Sequence, residues 1–325
     1  VEDAGSVVVN VDEELKTMDY TVVELVVECE REKTVMMCKN PYIKQPTGIT
    51  KLHTILSNDA REASTPFPCG QCLPCRINKS RLWQHRICLE AMSYDENAFV
   101  TLTYNEENLP EDKSLNPKHV QLFLKRYRKK IHPKKIRFFL VGEYGDKTER
   151  PHYHLMIFGD NNNDAIDESW HLGYTYTGSV TPYSASYVAK YTIKALTKKD
   201  DRRLDGRHPE YMRCSKQNGG LGIQTISEIA EKLKTKKYGR EKIIRELMQE
   251  RKKFPLGRYL TQKLFEKGGF DPHLKETEYW DYQQEVFDNH LKPGEDFRDN
   301  IVNEMATERK AREHNLKVYG KRRPL

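Results

Sequence analysis

The chain of 325 residues is long enough for one large domain or two ordinary ones, and it can bury a sizeable core. Only 37% of it is apolar, while 32% is charged, with a formal net charge of +7 and an isoelectric point near 8.8. No run reaches the roughly 18 apolar residues of a membrane span and no signal-peptide pattern opens the chain, so a soluble intracellular protein with a polar partner, nucleic acid first, is expected.

Residues 1–35 are acidic, and Val7-Val8-Val9 and Tyr20 to Val27 read as strands because they are rich in β-branched residues; they look like an appended extension. Seven cysteines is an odd number, and Cys69, Cys72 and Cys75 fall in a C-x-x-C-x-x-C pattern. That pattern suits thiols kept reduced for a metal better than a disulfide framework. A structural Zn²⁺ would take Cys38 as its fourth ligand, with Cys88 as the competitor for that place. A helix is expected over about Ile77 to Met92, packing Trp83, Ile87 and Leu89 inward.

Ala98 to Tyr104 alternates like a half-buried strand. Asn116-Pro117 reads as an N-cap and first helical residue, opening a helix with Val120, Phe123, Leu124, Tyr127 and Ile131 on one face. Its other face carries Lys125, Arg126, Arg128, Lys129 and Lys130, a positive density suited to DNA or RNA phosphates. A hairpin follows, Ile136 to Gly145 paired with His152 to Phe158. His152 and His154 share one strand face with Cα atoms about 7 Å apart, and pairing across the hairpin brings Glu143 beside one of them. Two imidazoles and a carboxylate suit Mg²⁺ or Mn²⁺ with positions left for substrate oxygens; Asp146 is a weaker third ligand.

A short strand around Tyr174 to Tyr176 precedes a helix capped by Ser184. Tyr187 and Tyr191 stand four apart on it, one helical turn and about 6 Å along the axis, and offer two phenolic nucleophiles to one metal. Lys190 and Lys194 each follow a tyrosine by three and would set an ammonium group beside each phenol. This order of elements predicts an α+β fold, an antiparallel sheet covered by helices. Beyond Leu196, Ser227 to Lys253 and residues 280–325 read as charged helices. The expected divisions are 1–35, a catalytic domain over 36–225 that includes the cysteine clip, and a helical C-terminal region over 226–325.

The succession Phe-Val-Thr-Leu-Thr-Tyr (99–104), Gly-Glu-Tyr-Gly (142–145), Arg-Pro-His-Tyr-His (150–154) and Tyr-Val-Ala-Lys-Tyr (187–191) resembles the HUH endonucleases that start rolling-circle replication. With the Cys-Gly-Gln-Cys-Leu-Pro-Cys segment ahead of it, the pattern is similar to replication initiators of small single-stranded DNA phages, the microviruses of the gokushovirus type. The resemblance covers about residues 36–225. It implies an HUH/RRM-like nickase fold and a strand transferase that cuts single-stranded DNA at a replication origin. His152 and His154 would hold the metal, and Tyr187 or Tyr191 would form a 5′-phosphotyrosyl link. The resemblance further implies host helicase and polymerase as partners and the cytoplasm of a bacterial host as location. The competing reading is a zinc-stabilised DNA- or RNA-binding regulator that binds without cutting.

Overall fold

The computed structural model describes residues 23–24, 38, 42–45, 48–51, 68–145, 148–194, 202–235, 242–249, 252–275 and 277–278, with isolated positions between 300 and 310. The chain divides into two compact units, one of residues 1–27, 80–240 and 244–269, the other of 28–79, 241–243 and 270–325. In chain order the elements begin with β1 (Val23–Glu24), β2 (Tyr42–Gln45), β3 (Gly48–Lys51), α1 (Leu73–Ala91), β4 (Asn97–Tyr104) and α2 (Pro117–Lys130). There follow β5 (Arg137–Tyr144), β6 (Pro151–Phe158), α3 (Asn163–Ser169), β7 (Gly173–Gly178) and α4 (Pro182–Lys194). The series closes with β8 (Tyr211–Cys214), α5 (Ile223–Thr235), β9 (Glu246–Gln249), β10 (Lys252–Pro255) and α6 (Gly257–Lys267).

The first unit is built on an antiparallel five-stranded sheet in the order β7-β4-β6-β5-β8. Side chains alternate across it, so the two faces are lined by different residues of the same strands. On one face Ala98, Val100, Leu102 and Tyr104 join Tyr153, Leu155, Ile157 and Leu140 in a core closed by α2 and α3. α2 starts where expected: the Asn116 carboxamide accepts from Lys118 N at 3.0 Å and Pro117 fills the first helical position. It then buries Val120, Phe123, Leu124 and Tyr127, each worth about 1.5–3 kcal/mol in transfer free energy. The opposite face packs Phe139, Val141, Met156 and Phe158 against Ile87, Cys88 and Ala91 of α1 and Ala185, Val188 and Tyr191 of α4.

The α+β class and the antiparallel sheet covered by helices are as the sequence predicts, and three local readings need correction. Ser227 to Lys253 is not one helix: α5 ends at Thr235, and β9 and β10 pair as a hairpin with Leu247 opposite Phe254. Glu-Leu-Met-Gln and Lys-Lys-Phe-Pro carry no alternation that would mark them as strands. Ser184 is not the N-cap of α4; Thr181 is, its hydroxyl accepting from Ser184 N at 3.0 Å while Ser184 Oγ accepts from Thr181 N at 2.8 Å, a reciprocal cap. Helix α3, capped by Asn162, stands between the hairpin and β7 where the sequence reading places no element. Val7 to Val9, Asp146 and nearly all of 280–325 lie outside the described residues. Among those described, no helix is long and apolar enough to cross a membrane.

Candidate active site

Two rows of side chains cross the sheet on the face shared with α4. Pairing sets Thr103 between Tyr174 and His152, with Glu143 beyond, and Thr101 between Tyr176 and His154, with Val141 beyond. α4 lies over these rows with Tyr187 and Tyr191 one turn apart. Together Phe99, Thr101, Thr103, Glu143, Gly145, His152, His154, Tyr176, Tyr187 and Tyr191 line a cavity of about 540 Å³. The sequence therefore names five of its residues, and the structure brings all five into one cleft.

His154 is buried and held from several sides. Its Nδ1 is 3.0 Å from Thr101 Oγ1 and its Nε2 is 3.1 Å from Glu143 Oε1. Tyr191 stacks on its ring at 4.8 Å and 10°, while Tyr187 meets it edge-on at 5.5 Å and 84°. His152 donates Nδ1–H to the Arg150 carbonyl at 2.6 Å, which leaves the lone pair on Nε2. Burial, opposed by that hydrogen bond and aided by the neighbouring His154, holds the His152 imidazole below its ordinary pKa, in the neutral form a metal needs. Gly145 lets the hairpin loop close on this ring, since a Cβ there would stand 3.2 Å from His152 Cε1.

The phenols are unequal. Tyr191 is 9% exposed and donates its hydroxyl to the Tyr187 oxygen at 2.5 Å; Tyr187 is 39% exposed at the mouth. Burial, then the contact with Tyr187, then Glu143 push the Tyr191 phenol well above the usual tyrosine range. In chemistry two imidazoles and a carboxylate suit a hard divalent ion, but in geometry only His154 and Glu143 stand at a ligand-pair distance, with His152 farther off. Cis ligands of an octahedral ion with bonds near 2.1 Å stand about 3.0 Å apart, close to the 3.1 Å between His154 Nε2 and Glu143 Oε1. Lys190 is exposed, and the side chain of Lys194 lies outside the described residues.

Of the five basic residues expected to meet phosphates, Lys125, Arg128, Lys129 and Lys130 are exposed and Arg126 is half-buried. Arg126 donates to the Ser169 carbonyl at 2.9 Å, Arg128 lies over the Phe138 ring at 5.6 Å and Lys130 pairs with Glu168. All five belong to α2, on the sheet face away from the cleft. Sequence reasoning missed Phe99, Thr101, Thr103, Gly145 and Tyr176 of the cleft lining, and Thr101 is the one that holds a proposed metal ligand. Its motif is visible in the sequence, but the strand register that sets it against His154 is not.

The second unit holds a cluster of Cys38, Cys69, Cys72 and Cys75, whose sulfurs all lie within 4.8 Å of one another. No other such tight group of potential ligands occurs among the described residues, the cleft's imidazoles and carboxylate included. None of the four is in a disulfide. Cys72 Sγ is 3.4 Å from Cys75 Sγ and 3.9 Å from Cys38 Sγ, and bonds of about 2.3 Å to tetrahedral zinc would set sulfurs about 3.8 Å apart. Burial opposes ionisation of Cys69, but N–H donors of Cys72 and Gln71 outweigh it and bring this thiol down to about 7. Cys38 completes the set, while Cys88 is buried in the sheet core.

Fold and site define an α+β protein with a pair of phenols poised over two imidazoles and a carboxylate. Residues 97–196, from β4 through α4, match the model of the ORF2-type family of replication-associated proteins. Over 200 residues the chain is 34% identical to replication-associated protein VP4 of Bdellovibrio phage phiMH2K, covering 54% of this chain and 62% of that protein. It is 31% identical over 222 residues to replication-associated protein ORF2 of Spiroplasma virus 4, covering 61% and 67%, and 28% identical over 226 residues to replication-associated protein ORF4 of Chlamydia phage 1, covering 59% and 56%. The chain belongs to this family of phage replication-associated proteins, and it spans less than two thirds of the length of two of the three relatives. No solved structure matches it.

Proposed function

We propose that this chain is a replication initiator that nicks and rejoins single-stranded DNA at an origin through a 5′-phosphotyrosyl intermediate, as an HUH nickase of the rolling-circle type. The observation that carries the reading is the Tyr191–Tyr187 hydrogen bond lying directly against His154 in a cleft that also holds His152 and Glu143. Family membership supports the replication role. The site of action would be the bacterial host cytoplasm, with host helicase and polymerase acting on the product.

Tyr187 is the first nucleophile, because its oxygen is at the open mouth and accepts a hydrogen bond from Tyr191 that stabilises the phenolate. Its oxygen forms a bond to phosphorus, the bond to the 3′ oxygen breaks, the phenol proton passes to solvent and the leaving oxygen takes up a proton as the free 3′-OH. The phosphotyrosyl ester conserves the energy of the phosphodiester, so Tyr191 can attack the regenerated origin and the chain needs no nucleotide. His152, His154 and Glu143 would hold Mg²⁺ or Mn²⁺, which supplies Lewis-acid stabilisation of charge on the phosphate oxygens. Lys190 and Lys194 are proposed helpers of the two phenols. Lys125, Arg126, Arg128, Lys129 and Lys130 would meet duplex or single strands beyond the cleft. Structural Zn²⁺ is proposed for the four cysteines; Cys72→Ser should lower bound zinc from one equivalent, and unchanged stoichiometry would remove the site.

The test is incubation with single-stranded origin DNA and Mn²⁺ followed by denaturing electrophoresis. Wild type should give a covalent protein–DNA adduct, and Tyr187→Phe with Tyr191→Phe together should give none. Absence of an adduct on either origin strand, or its persistence in the double variant, would overturn the reading in favour of a binder that does not cut.

A further inference from the structure

Three tyrosines outside the chemistry are the most exposed large apolar side chains among the described residues: Tyr183 at 78%, Tyr174 at 70% and Tyr176 at 63%. Tyr174 and Tyr176 rise from β7, an edge strand, opposite Thr103 and Thr101, so both stand on the face that carries His152 and His154. Tyr176 itself lines the cleft. Tyr183 precedes Tyr187 by one turn of α4 and Tyr191 by two, so exposure climbs along one helix stripe from 9% through 39% to 78%. Water-exposed rings at this density need an explanation, since a Tyr on a solvated edge gains nothing by burial.

We infer that Tyr174, Tyr176 and Tyr183 form a stacking platform for the bases of the single strand on its way into the cleft, an inference that rests on the nickase reading for the strand's path. An aromatic ring stacks with any base, because every base has a π face. Tyr176 is already positioned for it. Its ring meets Phe99 edge-on at 6.3 Å and 70°, and it lies across Gly178, where a Cβ would stand 3.4 Å from Tyr176 Cε1 and Oη. Little side-chain entropy is then lost on binding. The two β7 rings are spaced by about 7 Å along the strand, with no aliphatic side chain between them on that face. Thr175, between them in sequence, turns to the other face and bonds Asp167. The surface of β7 on this side is therefore aromatic and polar rather than greasy, and Tyr176 carries it into the cleft where the phosphate would react.

The experiment is fluorescence anisotropy of the full chain with a labelled single-stranded oligonucleotide in EDTA, so that no cleavage occurs. Tyr174→Ala and Tyr176→Ala should each weaken binding by roughly tenfold, and Tyr→Phe at the same positions should keep most of the affinity. An oligonucleotide with abasic sites should bind wild type and the alanine variants alike. Alanine variants that bind as tightly as wild type, phenylalanine variants as weak as alanine, or a difference that persists on abasic DNA would each overturn the platform. Adduct formation by wild type is scored separately. Intact binding differences without adducts would overturn the nickase and keep the platform, while adducts with unchanged affinities would do the reverse.

Discussion

Thr101 shows what a single hydroxyl can control. His154 can present Nε2 to a metal only if its ring is held, and Thr101 Oγ1 at 3.0 Å holds the other nitrogen. Groups that orient a ligand in this way are typically worth about 10–100-fold in metal affinity or activity. Thr101→Val, close to isosteric, should lower Mn²⁺ affinity and adduct rate within that range, and Thr101→Ser should restore both; equal titrations for Thr101→Val and wild type would show the hydroxyl to be idle. The tyrosines can be separated as cleanly. Tyr187→Phe should lose the first adduct, whereas Tyr191→Phe should still cut and attach but fail to release a closed circle. Attachment by Tyr187→Phe at the wild-type rate would reverse the order assigned to them.

Helices α1 and α2 give the elements measurable signatures. His85 on α1 is wholly buried, donates Nδ1–H to the Pro255 carbonyl at 3.0 Å and stacks on Phe254 at 5.3 Å. Burial lowers its pKa to about 4 from an ordinary 6.5. Between those values the unfolded chain binds a proton that the folded chain refuses, so stability is present above pH 6.5 and is lost as pH falls toward 4, by about 3 kcal/mol. Urea midpoints should drop over this window, and His85→Asn, which keeps a donor for the carbonyl, should flatten the drop; parallel curves for the two proteins would assign the loss to other groups. On α2, Phe123 is fully buried and stacks on Tyr127 at 5.9 Å, so Phe123→Ala should cost about 3–5 kcal/mol by leaving a cavity. Because α2 lies on the face away from the cleft, the folded fraction of that variant should still form adducts.

Across the whole molecule, the sheet domain is legible in the sequence because its elements carry strong signals: alternation over 98–104, apolar runs over 137–144 and 151–158 that mark strands covered on both faces, and a helical stripe over 117–131. The His152, His154, Tyr187 and Tyr191 positions follow from signals of the same kind. What one sequence cannot supply is register between strands distant in the chain. Thr101, Phe99 and Tyr176 therefore join the site only once β4, β6 and β7 are paired. The β9–β10 hairpin is hidden for another reason: its strands are only four residues long, with one charged residue in β9 and two in β10, so tertiary pairing rather than local preference decides them. The protein contacts of Arg126, Arg128 and Lys130 are hidden likewise, since a charge pattern does not show which neighbouring carbonyl, ring or carboxylate a basic side chain meets.

The division of the sheet into two faces reaches beyond this one site. On β4, Val100 and Leu102 answer to the α2 core, whereas Thr101 and Thr103 between them answer to the cleft. A saturation scan of positions 97–104, scored once for soluble yield and once for adduct formation, should return two interleaved combs, each with a period of two and each nearly blank where the other has teeth. Loss of both scores at the same positions would contradict the division. Where the combs stay separate, one strand can be rewritten at every second residue on its cleft side while the alternate residues go on specifying the same fold.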